Sequence, residues 1–140
     1  MVTSVFASER PMEPVSTKTA WTGRILSGLA VAFLLFDVAI KLMAPPEVLS
    51  AHETLGFPPE LARSLGTLLL ACVVTYVIPR TSFLGAVLLT GYLGGAVATH
   101  VRVGNPLFSH VLFPVYVAAF IWGGLFLRDT RLRELFLPRR

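Results

Sequence analysis

Four long apolar runs constrain what this chain can fold into. They cover residues 21–43, 61–78, 81–99 and 107–127 of a chain of 140 residues. About 20 apolar residues in a helix are enough to cross the hydrocarbon core of a bilayer. Only helices and closed barrels satisfy the backbone inside that core, and the alternating segments typical of barrel strands are absent from this sequence. The runs therefore predict an all-α, integral membrane four-helix bundle.

The composition supports the same class of protein. Hydrophobic residues make up 54% of the chain and charged residues 14%, whereas about 25% of a soluble domain is charged. The net charge of +4 does not indicate nucleic-acid binding, because the basic residues flank the apolar runs. The single cysteine, Cys72, lies within the second run. An intrachain disulfide or a CxxC redox site is therefore excluded.

Prolines separate the apolar runs. The Pro45-Pro46 pair ends the first run, because proline cannot continue the helical hydrogen-bond ladder. The polar connector that follows, residues 47–60, is expected to hold a short surface helix that stops at Gly56. A Pro-Arg pair at 79–80 leaves almost no loop. The second and third runs are therefore predicted to form a tight helical hairpin.

The distribution of basic residues predicts the orientation. With four crossings, one side of the membrane holds both termini and the middle turn, and it carries nine Lys and Arg residues against three on the other. The positive-inside rule then places both termini in the cytoplasm. We expect a flexible cytoplasmic tail (1–20), a four-helix transmembrane domain (21–127) and a basic cytoplasmic tail (128–140). The nine residues are Arg10, Lys18, Arg24, Arg80, Arg128, Arg131, Arg133, Arg139 and Arg140, and the three are Lys41, Arg63 and Arg102.

Two sequence features predict how the helices pack. Gly91 and Gly95 form a GxxxG pattern, and Gly28 with Ala32 forms a second pair of small residues. Small residues at this spacing let membrane helices approach closely, so both pairs are expected to lie inside the bundle. Pro114 is expected to bend the fourth helix, because proline breaks the local hydrogen-bond ladder.

Ionisable residues collect near the expected extracytoplasmic ends of the runs. Asp37 and Lys41 are four residues apart and therefore share one face of the first helix. Charges inside a membrane are costly, and they are functional candidates by default. The candidate ligand-binding cluster consists of Asp37, Lys41, Arg63, His100, Arg102 and His110.

The sequence alone leaves two interpretations of this cluster open. In the first, the charges are structural, and Lys41 neutralises Asp37 with Arg63 or Arg102 nearby. In the second, the cluster forms a small outward-facing polar pocket that binds a ligand or relays a proton. We predict no metal site and no catalytic residues, because neither zinc-ligand spacing nor a nucleophile–base pattern occurs. A site assembled in space from the three histidines is the weaker alternative.

Several features together carry a family resemblance. They are the four-run layout, the Asp-x-x-x-Lys pair, the hairpin broken by Pro-Arg, and above all LGGAVATHVRVGNPLFSHVLFPVYVAAFIWGGLFLRDTRLR, residues 93–133. In these features the sequence resembles the DoxX-like family of small bacterial integral membrane proteins. The resemblance covers residues 20–137, and residues 94–132 are its most specific part.

The resemblance implies a compact bundle in the bacterial inner membrane and an association with membrane redox systems. We therefore expect an accessory subunit of a quinone-linked system, with quinone as the suggested cofactor. The lipid bilayer and a redox protein are the expected partners, and nucleic acid is not. The lack of cysteine pairs and of haem or flavin motifs favours no catalytic activity of the chain's own. A small-solute or lipid carrier, a structural or assembly protein, and a homo-oligomer stay open as alternatives.

Overall fold

A computed structural model describes residues 13–137, and these residues are helical apart from short connections. Residues 1–12 of the expected first tail and 138–140 of the expected second tail lie outside the described part. The all-α prediction is confirmed, since the described residues form no strand. The elements are α1 (Thr17–Met43), α2 (Pro46–Thr54), α3 (Leu61–Val77), α4 (Ser82–Arg102), a π-helical turn (Leu107–Val111), α5 (Phe113–Arg128) and α6 (Thr130–Phe136).

The first helix begins four residues before the expected start of the first apolar run. Ser16 caps it, because its hydroxyl oxygen accepts a hydrogen bond from the backbone N–H of Thr19 at 3.3 Å. A side chain of this kind satisfies one of the free donors in the first turn of a helix. The helix ends at Met43, and Ala44 after it has a left-handed backbone with φ of 49° before the two prolines.

Within residues 13–137, three stretches are long and apolar enough to cross a membrane. They are α1, α4, and the π-helical turn taken together with α5. Helix α3, which corresponds to the second apolar run, is present and apolar but only 17 residues long. The order of helices agrees with the sequence prediction, and four membrane crossings stay a prediction.

The four long helices alternate around one core. Helix α1 packs against α3 and α5, and α4 packs against the same two helices. Side chains less than 2% exposed fill the space between them, among them Leu34, Leu69, Tyr76, Leu89 and Ile121. The core is therefore apolar along most of its length.

One end of the bundle, called the α6 end here, brings together α1, α5 and the α3–α4 turn. The Arg128 guanidinium lies 5.4 Å from the centre of the Tyr76 ring, and a Cβ on Gly23 would lie 2.7 Å from the Gly124 carbonyl oxygen. The opposite end carries α2 and is called the α2 end. Both described chain ends therefore meet at the α6 end.

Close helix packing uses glycines other than the predicted ones. A Cβ on Gly85 would lie 2.2 Å from the Tyr76 backbone nitrogen, so α3 and α4 touch through their backbones there. By contrast, nothing lies within 4 Å of a Cβ built on Gly28, Gly91 or Gly95. The packing predicted for these three residues is therefore wrong, because their helix faces do not meet a neighbouring helix.

The fourth apolar run is divided where its proline predicts an interruption. The π-helical turn ends at Val111, α5 begins at Phe113, and Pro114 lies in the first turn of α5. Proline is tolerated there, since the first N–H groups of a helix have no intrahelical partner. Because of this interruption, the side chains of the π-helical turn do not follow the helical register of α5.

Candidate functional site

A cavity of about 550 Å³ lies in the half of the bundle next to the α2 end. It is called the α2 cavity here. Helices α1, α2, α4 and α5 supply most of its wall, and Leu65 adds one contact from α3. Most of the lining is apolar. Its polar side chains are Asp37, Lys41, His52, Tyr92, Thr99 and His100.

Asp37 and Lys41 form an ion pair along one face of α1. The Lys41 ammonium donates a hydrogen bond to the Asp37 carboxylate, and the two side chains are 24% and 16% exposed for Asp37 and Lys41 respectively. Four residues make one turn of helix, so the two side chains meet without distortion. The pair neutralises both charges, as the first of the two interpretations of the sequence expects, and both side chains lie in the cavity wall.

Two histidines face the same cavity from opposite sides. In α2, Nδ1 of His52 donates to the Val48 carbonyl oxygen at 2.8 Å, and the residue is 6% exposed. In α4, Nδ1 of His100 accepts a hydrogen bond from Asn105 Nδ2 at 2.7 Å. Within the described residues, neither Nε2 atom has a hydrogen-bond partner. In neutral rings with these Nδ1 bonds, the His52 Nε2 is an acceptor and the His100 Nε2–H is a donor.

Three of the six predicted site residues do not line the cavity. Arg63 is exposed at the start of α3, and His110 is exposed on the π-helical turn with its ring centre 5.8 Å from that of His100. Arg102 reaches over the connection after α2 and donates to the Leu55 carbonyl oxygen at 2.5 Å. Neither arginine supports Asp37, which has Lys41 as its partner.

Several residues that line the cavity are not predicted as site residues, and their helical spacing is the sequence signal that identifies them. Val48, Ala51, His52 and Leu55 are spaced as one face of α2, and all four line the cavity. Tyr92 lies eight residues before His100, on the same face of α4. His52 and Tyr92 are not among the site residues predicted from the sequence, and their positions on these helix faces are the signal that identifies them.

Helix α2 covers the outer side of the cavity. It lies between Ala44, with φ of 49°, and Gly56, with φ of 79°, so the chain turns sharply at both ends. Arg102 fixes the second turn, because its guanidinium bonds Leu55 and lies 6.0 Å from the centre of the Phe57 ring. The short helix is thus held across the bundle by a side chain from α4.

The cavity combines a small set of polar side chains, called its polar end here, with apolar walls. The ion pair is neutral as a unit, and the histidines and Tyr92 offer both donors and acceptors in their neutral forms. Within residues 13–137, no group of three histidine, cysteine or acidic side chains converges in a way that could hold a metal ion. The arrangement suits a neutral amphipathic molecule with a hydrogen-bonding head.

Comparison with known proteins places the chain in a family. The model of the DoxX-like family matches residues 25–124, which is more than half of the chain. The matched part contains α2, α3 and α4 whole, most of α1 and α5, and every residue that lines the α2 cavity. No curated protein and no solved structure matches the chain. The chain is therefore a multi-pass membrane protein of the DoxX-like family.

Proposed function

We propose that the chain is an accessory subunit of a quinone-linked redox system in the bacterial inner membrane, and that the α2 cavity holds the quinone. The observation that carries the proposal is the cavity itself, with one neutral polar end and otherwise apolar walls. Pockets of about 300–1,000 Å³ hold molecules of this size class.

The polar end supplies hydrogen bonds for both redox forms of such a head group. A quinone carbonyl only accepts, and the His100 Nε2–H, the Tyr92 hydroxyl and the Lys41 ammonium are donors. A quinol hydroxyl also donates, and the His52 Nε2 and the Asp37 carboxylate are acceptors. A site with both kinds of group holds either form without leaving a buried polar atom unpaired.

The proposal assigns the electron-transfer chemistry to a partner protein. The sequence contains no cysteine pair and no haem or flavin motif. The chain's own residues would bind and orient the head group, and the apolar walls would exclude water from it. We place the α6 end in the cytoplasm, because the side of the membrane that holds both termini carries nine of the Lys and Arg residues.

The proposal is tested on the protein purified gently from bacterial membranes. Retained lipophilic molecules are identified by mass spectrometry in the wild type and in Asp37→Asn. Glu60→Gln is the matched control, because Glu60 is an exposed acid at the start of α3 outside the cavity. We expect quinone in the wild type and the control, and about tenfold less in Asp37→Asn, the loss that about 1.4 kcal/mol produces.

Other outcomes point to the alternative functions. Phospholipid alone in all three samples would overturn the proposal and favour a structural or assembly role. A different small molecule retained in the same Asp37-dependent way would favour a carrier, and a flux assay in liposomes would then measure transport.

A further inference from the structure

Part of the exposed lining of the α2 cavity lies on α1, α4 and α5, away from α2. Phe33 of α1 and Phe113 of α5 both line it, and they are 40% and 41% exposed. Their ring centres are 5.0 Å apart, so they form one aromatic edge. Gly91 and Gly95 of α4 line the cavity as well and are also exposed. These four exposed lining residues are together called the side opening here.

The two glycines keep this opening wide. They are four residues apart and so lie on one face of α4. A Cβ built on either would meet nothing within 4 Å, which means that no neighbouring helix fills the space beside them. The GxxxG pattern therefore leaves a gap in the cavity wall and does not join two helices.

The opposite end of the cavity is covered. Helix α2 places Val48, His52 and Leu55 over it, and Arg102 holds the connection that follows. Lys41 and His100 lie in the last turns of α1 and α4 next to this cover, and His52 belongs to it. Asp37 and Tyr92 lie one and two turns further from it, and the side opening has phenylalanine and glycine around it. A molecule in the cavity would therefore have its polar head under α2 and its apolar part towards the side opening.

We propose that the ligand enters the α2 cavity from within the bilayer through the side opening, and that its hydrocarbon tail stays between Gly91, Gly95 and the Phe33–Phe113 edge. The inference deepens the proposed function and rests on it. It assigns the ligand to neutral amphiphiles with a long tail that are dissolved in the membrane, and it excludes water-soluble solutes. The windows of α1 and α4 that are apolar enough to cross a membrane are mostly unburied, so the proposal sets the opening beside the hydrocarbon of the bilayer.

The experiment uses two probes on the full chain in lipid nanodiscs. One is a benzoquinone with a decyl tail, and the other carries the same head with only a methyl group. Each is added to the wild type, Gly91→Leu, Gly95→Leu and Gly94→Leu, and the bound probe is quantified by mass spectrometry after capture. Gly94→Leu is the matched control, because Gly94 is exposed on the same helix with open space around it but does not line the cavity.

We expect Gly91→Leu and Gly95→Leu to bind about tenfold less of the decyl probe, with the methyl probe and Gly94→Leu unchanged. Gly91→Ala adds only a methyl group and should give an intermediate loss, which separates blocking from misfolding. Equal decyl binding in all variants would overturn the side opening and leave the proposed function standing. Failure of both probes to bind the wild type would overturn the proposed function and, with it, this inference.

Discussion

At the scale of single residues, the Asp37–Lys41 pair decides whether α1 tolerates charge in the membrane. A lone charge at the centre of a membrane helix costs about 3 kcal/mol on insertion scales. Each of these two charges has the other as its partner, and both side chains are mostly buried. The pair is thus structural and lines the cavity at once, so the two interpretations that the sequence leaves open are compatible.

Substitutions of Asp37 and Lys41 are expected to have strongly non-additive effects on the free energy of unfolding. Asp37→Asn or Lys41→Met alone leaves one charge without a partner and should lower the free energy of unfolding by about 2 kcal/mol. The double variant removes both charges and should regain most of that loss. Unfolding by SDS, followed by circular dichroism, measures all four proteins. Losses that simply add in the double variant would show that the two residues do not stabilise one another.

At the scale of elements, α2 is the part whose role is least visible in the sequence. The sequence predicts a short surface helix that stops at Gly56, and the structure confirms the helix over Pro46–Thr54. Its role as a cover depends on Arg102, which is 47 residues away from Leu55 along the chain. Local patterns predict that a helix forms, but they do not contain the long-range contact that fixes where it lies.

Removing that contact should loosen α2. In Arg102→Gln the bond to the Leu55 carbonyl oxygen is lost, and backbone amides of residues 46–57 should exchange about fivefold faster, as loss of about 1 kcal/mol implies. Hydrogen exchange followed by mass spectrometry measures these exchange rates. Arg63→Gln removes an exposed arginine at the same end outside the cavity and should leave these rates unchanged. Unchanged rates in both variants would mean that α2 is held by its apolar face alone.

The difference between local patterns and long-range contacts explains which site residues are predictable from the sequence. Asp37 and Lys41 are neighbours within one helix turn, so their pairing is predictable from spacing alone. His100 lies in the last turn of α4, so the prediction of that helix also places His100 near its end. Arg63, Arg102 and His110 are near the same end in sequence, but their side chains point elsewhere, and only tertiary structure decides that. Apolar periodicity predicts where the helices lie in the sequence. Which residues enclose a cavity depends on which helix faces pack together, and periodicity does not predict that.

At the scale of the whole molecule, the two ends differ in chemistry. Among the described residues, three arginines at the α6 end lie over aromatic rings at 5.3–5.6 Å, whereas the α2 end has one such contact, Arg102 over Phe57 at 6.0 Å. Aromatic and basic side chains are enriched where a helix leaves the membrane, and basic ones favour the cytoplasmic side. The pairs are Arg24–Trp21, Arg128–Tyr76 and Arg133–Phe126.

The orientation is testable with single introduced cysteines. Cys72 is 5% exposed, so the wild type should not react with a membrane-impermeant maleimide and serves as the background. Glu47→Cys at the start of α2 and Arg131→Cys in α6 are exposed positions at opposite ends. On intact spheroplasts we expect labelling of the first and protection of the second until lysis. The reverse pattern would place the α2 end in the cytoplasm.

The short third helix has a consequence for the surrounding lipid. At 1.5 Å per residue, the 17 residues of α3 span about 26 Å, less than the roughly 30 Å of hydrocarbon in an average bilayer. Acyl chains beside α3 would have to compress to match it, and that hydrophobic mismatch costs fractions of a kcal/mol per Å. A bundle with one short helix has the lowest mismatch cost in a thin membrane. The thickness of the bilayer would therefore bias the membrane in which this protein accumulates.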